Sequence, residues 1–108
     1  MNNLRDFGTG LSQMNPGKTF HYRRPANLDG ATVWQEDGQD NAFETDNGIS
    51  EFQIHGVVDH WTKTEYDKTV DNINGFLFTR PKTSAMLSAI DYEDETGRIH
   101  FHWDFWLT

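Results

Sequence analysis

Five histidines and seventeen acidic residues are the side chains of this chain best able to do chemistry. Their spacing raises a metal first. His100 and His102 stand two apart in RIHFHWDFWL, so on a strand they share one face. His55 and Asp59 share the polar face of a second extended segment by the same alternation. If those two strands are neighbours in matching register, three imidazoles and a carboxylate could surround a zinc ion. The competing account is that these alternate positions are the solvated outer face of a half-buried sheet. Pairing decides between the two, and spacing does not give pairing. The expectation is therefore no cofactor, with His55, Asp59, His100 and His102 as the cluster to watch for a metal.

Other chemistry is weaker. His60 beside Asp59, or the carboxylates of Asp91, Glu93, Asp94 and Glu95, could serve as an acid–base pair if low dielectric separated their pKa values. The second group falls in an expected turn, where water screens it. Glu36, Asp37 and Gln39 offer oxygen ligands for calcium, yet the stretch lacks the alternating Asp and closing Glu of an EF-hand loop. There is no Gly-rich phosphate cradle and no nucleophile elbow. No catalytic residue is expected, so the chain is read as a non-enzyme.

Composition points the same way. At 108 residues the chain is read as one domain, 1–108, with a modest core. Aromatics make up 14% of it, which suits a small core or an interface. Cysteine is absent, excluding disulfides and thiolate zinc, and a reducing cytoplasm is the simplest expectation. No apolar run is long enough to span a bilayer, and the polar start MNNLRDFGTG is not expected to be a signal peptide. A formal charge of −8 argues against binding nucleic acid phosphates or anionic membranes.

The elements that must position these residues follow from periodicity. Leu4, Phe7, Leu11 and Met14 fall on one helical face, and Asn15-Pro16-Gly17 closes that helix. Gly8 and Gly10 each cost it about 1 kcal/mol, so it must lean on tertiary contacts. Short strands are expected at 19–23 and 31–35, separated by an Asn27–Gly30 turn. The stretch 36–46, EDGQDNAFETD, reads as a mobile acidic loop. A long strand covers about 49–61, with Phe52, Ile54, Gly56 and Val58 on one face and Gln53, His55, Val57 and Asp59 on the other. Gly56 suggests a bulge or a close backbone approach. A polar hinge, Trp61 to Thr64, leads into a helix capped by Thr64, with Tyr66, Val70, Ile73 and Leu77 as its apolar stripe. The end is a hairpin: 86–92, an acidic turn 93–97, then 98–107 with Ile99, Phe101, Trp103 and Phe105 on its apolar face. The reading is α+β, a mostly antiparallel or mixed sheet of four to five strands with two helices packed on one face. Trp34, Trp61 and Trp106 are hard to bury together in so small a core, and exposed aromatics favour protein interfaces.

Four blocks occur in order: Phe20-His21-Tyr22-Arg23-Arg24-Pro25, Val33-Trp34-Gln35-Glu36-Asp37-Gly38, Asp59-His60-Trp61-Thr62-Lys63-Thr64-Glu65-Tyr66-Asp67, and Tyr92-Glu93-Asp94-Glu95-Thr96-Gly97-Arg98-Ile99-His100. From about residue 18 onward the chain resembles the small tail-completion, or tail-terminator-like, proteins of long-tailed bacteriophages and prophages. Leu28-Asp29-Gly30-Ala31-Thr32 departs from that pattern, standing where a Pro-aromatic pair is more usual. The resemblance implies a small α+β virion structural protein, made in the host bacterial cytoplasm. It would close into a ring, commonly a hexamer, between the tail tube protein and the head connector proteins. A ring requires a heterologous contact, one patch on a different patch. Trp34, Glu36, Asp37, Asp40, Phe43, Glu44, Asp46, Trp61 and Trp106 are the expected contact residues. Acidic residues facing the lumen would repel passing DNA.

Overall fold

The computed structural model describes residues 2–44 and 50–108, with side chains placed at 4–39 and 53–108. In chain order come α1 (Asn2–Met14), β1 (Thr19–His21), β2 (Ala31–Glu44), β3 (Ser50–Thr62), α2 (Lys68–Thr79), β4 (Thr83–Glu93) and β5 (Arg98–Leu107). The strands make one mixed sheet in the order β1-β2-β3-β5-β4, parallel between β1 and β2 and antiparallel elsewhere. The expected α+β class is what is found.

Both helices pack on one face. Phe7 and Leu11 from α1, and Val70, Ile73 and Leu77 from α2, meet Trp34, Val58, Trp103, Phe105 and Leu107 of the sheet. Register explains this set: Trp34 lies opposite Val58, and Val58 opposite Trp103, so one row crosses three strands. Phe7 is its hub, stacked on Phe105 at 4.3 Å and edge-on to Trp34 at 5.4 Å. Trp34, expected at an interface, is thus a core residue, 6% exposed.

Three expectations are corrected. First, the acidic stretch is not a loop as far as Glu44: β2 runs through it, paired with β3 up to Glu44 opposite Ser50. Two register shifts, between Glu36 and Gly38 and between Asn41 and Phe43, let a sequence poor in strand formers follow its partner. Asp46 lies outside the described residues, as do the side chains of Asp40, Phe43 and Glu44. Second, the hinge begins later, since β3 continues through Thr62. Third, Asp67 rather than Thr64 caps α2, accepting the Thr69 N–H at 3.0 Å. Tyr66 precedes the helix with φ of 57° and 92% exposure, so it leaves the apolar stripe to Val70, Ile73 and Leu77.

Gly56 lies where the first shift occurs, opposite Glu36, with Asp37 as the extra residue of β2. A Cβ at Gly56 would sit 2.5 Å from the Gln35 carbonyl and run into the Phe105 ring. Both the bulge and the close approach expected of that glycine are present.

Candidate functional site

The face of the sheet away from the helices carries the chemistry. Alternation assigns it: Trp103, Phe105 and Leu107 of β5 are buried beneath the helices, so His100, His102, Asp104 and Trp106 point the other way. On β3 the same rule buries Val58 and His60 and turns His55, Val57, Asp59 and Trp61 outward. The register sets Asp59 opposite His102, Trp61 opposite His100, and His55 opposite Trp106.

These pairings bring three of the four residues of the expected cluster together. Asp59 Oδ1 accepts from His100 Nε2 and from His102 Nδ1, each at 2.6 Å. Burial pushes the Asp59 carboxyl up, and these two hydrogen bonds outweigh it, leaving the group below the ordinary carboxylate range. His55 stands apart. Its Nδ1 meets Asp37 Oδ1 at 2.6 Å and its Nε2 meets Asp104 Oδ1 at 2.9 Å. Partial burial disfavours the His55 cation, but the hydrogen bonds to Asp37 and then Asp104 raise its pKa overall. Ser88 donates to the other oxygen of Asp104. Asp37, the extra residue of the bulge, still reaches His55, whose regular partner across the ladder is Gly38.

The ring nitrogens of the pair that face away from Asp59 also face carboxylates. His100 Nδ1 is 3.9 Å from Glu93 Oε2, and His102 Nε2 is 4.0 Å from Asp104 Oδ2. Trp61 lies flat on His100, 4.6 Å between centroids, and donates its indole N–H to Glu93 at 3.3 Å. Arg24 caps the other side of the indole at 4.1 Å. So Trp61 braces a histidine, and the half-buried Trp106 lies 5.1 Å from the His55 ring.

The other sequence expectations are dispersed. Asp59 and His60 are no acid–base pair, because neighbours on a strand point to opposite faces. His60 is fully buried under the helices; its Nε2 donates to Asp67 at 2.9 Å and its Nδ1 accepts from Thr32 Oγ1 at 2.8 Å. Asn15 in turn donates to that Thr32 oxygen at 2.9 Å, and the Asp67 carboxylate, which can only accept, sets the direction by holding the proton of the neutral imidazole on Nε2. The calcium reading fails on geometry: Glu36 turns to His21, at 2.7 Å, while Asp37 turns to His55. Sequence reasoning missed the Asn15–Thr32–His60–Asp67 relay, which no local motif announces because its members come from four elements or their flanks. Among the described residues, Asp59, His100 and His102 are the group of three whose donor atoms lie within 4.8 Å of one another.

No protein-family model and no curated protein matches the chain. Among solved structures, a chain from the virion of a native gene transfer agent (GTA) particle is similar, at a TM-score of 0.49 and 12% identity, covering 90% of this chain and 81% of that one. A likeness at that level carries no function across.

Proposed function

We propose that this chain is an assembly subunit of a bacteriophage-type virion, completing the tail at the head–tail junction as a homo-oligomeric ring. Two supports are independent of each other. The four ordered sequence blocks resemble tail-completion proteins. The architecture suits lateral assembly: a one-layer sheet whose outer strand β4 offers an eleven-residue edge flanked by exposed Met86, Ile90 and Tyr92. That edge is the observation that carries the reading, since an unpaired strand edge beside apolar side chains is a ready surface for a neighbouring copy. The partners on this reading are other copies, tail tube protein and head connector proteins, and the chain makes and breaks no bonds.

Electron microscopy and native mass spectrometry of concentrated protein, alone and with purified tail tubes, test it. Closed rings, free or seated on tube ends, are the expected result. Failure to form a ring under either condition would reject the proposal. A second reading, a small metal-binding domain, is favoured by one observation, the convergence of His100 and His102 on Asp59.

A further inference from the structure

We propose that Asp59, His100 and His102 form a binding site for one divalent transition-metal ion of the zinc class, on the open face of the sheet. Three geometric facts carry this. His100 Nε2 and His102 Nδ1 both aim at one point, the Asp59 Oδ1 atom, at 2.6 Å each. The two rings stand nearly perpendicular, at 85°, with centroids 6.3 Å apart, so the two nitrogens reach the carboxylate oxygen from different directions. The three donor atoms lie within 4.8 Å of one another, whereas ligands of one ion at 2.0–2.2 Å stand roughly 3.3 Å apart. An ion would therefore sit between the side chains only once the two 2.6 Å nitrogen–oxygen contacts open to about 3.3 Å.

The surroundings supply a fourth argument. A metal-bound imidazole keeps a proton on its other nitrogen and directs it at a carboxylate or carbonyl, which fixes the tautomer and raises ligand basicity. Here the other nitrogen of His100 faces Glu93 at 3.9 Å, and that of His102 faces Asp104 at 4.0 Å. The stacked Trp61 holds the His100 ring in plane. Two imidazoles and one carboxylate, each imidazole backed by a further carboxylate, form a donor set for Zn²⁺, Co²⁺ or Ni²⁺ rather than Mg²⁺ or Ca²⁺. Three protein ligands leave a fourth position for water or for a donor atom from another molecule. To ligate, each neutral ring takes the tautomer that leaves His100 Nε2 or His102 Nδ1 bare and carries its single proton on the other nitrogen, toward Glu93 or Asp104. The site does not depend on the assembly proposal, and its test reads the ion alone.

The test is titration of chelator-stripped full-length protein at pH near neutral with Co²⁺, followed by visible absorption, and with Zn²⁺, followed by calorimetry. One equivalent of Co²⁺, displaced by Zn²⁺, is expected. Glu93→Gln and Asp104→Asn should weaken binding by roughly 10–100-fold, and His100→Ala and His102→Ala by more. His21→Ala, on the other side of the sheet, should leave it unchanged. Nitrogen NMR of the histidine rings in the unaltered protein gives a readout free of any folding defect in the variants. Zn²⁺ should shift His100 Nε2 and His102 Nδ1 and leave the His60 ring as it was. Absence of a saturable equivalent, its survival in both histidine variants, or ring shifts confined to other histidines would each overturn the site.

Discussion

His55 and His60 lie on opposite faces of β3 and respond to pH in opposite directions. Burial holds the His60 imidazole below its ordinary pKa, against the pull of Asp67. The folded state thus binds that proton less readily than the unfolded chain. Its contribution to stability is complete above the ordinary imidazole value of about 6.5 and is lost as pH falls below it. For His55 the folded pKa is raised, so its contribution is present below that value and disappears as pH rises through the folded pKa. In chelator-containing buffer, urea midpoints measured from about pH 5 to 8 should show this. His60→Ala should flatten the acid side of the profile and His55→Ala the alkaline side. His60→Ala should also cost about 2–4 kcal/mol at neutral pH, because it opens a cavity and strands Thr32 and Asp67. A loss under about 1 kcal/mol would mean that the relay is not what pins α2 to the sheet.

At the scale of elements, helices and strands were legible wherever one face is apolar. Leu4, Phe7, Leu11 and Met14 mark α1, and the alternation of β5 assigns its buried Trp103, Phe105 and Leu107 but not its buried Arg98. What stayed hidden was set by partners. Apart from Phe43, nothing in EDGQDNAFE favours a strand, yet the thirteen residues of β3 require a partner longer than five, and β5 pairs with it only from Ile54 onward. That mismatch in length was the available signal. The start of α2 was hidden likewise, since Asp67 is selected as cap by its second bond to His60. For the site, HxH gave the shared face of His100 and His102, while the choice of Asp59 over His55 came from register alone. Gly8 shows a conflict between levels: it weakens α1 locally, but a Cβ there would stand 2.5 Å from Trp34 Cζ2. Gly8→Ala raises helix propensity by about 1 kcal/mol and should still lower net stability by about 1–3 kcal/mol through overpacking, which a thermal melt reads directly. An unchanged or raised melting temperature would show that Trp34 can move aside.

For the whole molecule the governing facts are shape and charge. The fold is elongated, 51 × 25 × 23 Å, because the β2–β3 hairpin outruns the rest of the sheet. Its two outer edges differ: β4 presents eleven residues, whereas the three of β1 pair only with Thr32 to Trp34 of β2. Unlike edges permit the head-to-tail contact that closes a ring, and a self-complementary patch is not needed. A charge of −8 per copy works against this contact, so association through apolar edge residues should strengthen as salt screens the repulsion. Ile90 is the residue to alter. It is 57% exposed on β4, and a lysine there would place charge on the edge without disturbing the core. Sedimentation velocity at rising salt should show the unaltered protein moving into a single large species while Ile90→Lys stays small. Urea midpoints of the two should agree within about 0.5 kcal/mol, as for other exposed positions. If Ile90→Lys assembles as readily as its parent, copies do not meet along β4, and the edge of β2 beyond Trp34, unpaired among the described residues, becomes the surface that must carry the contact.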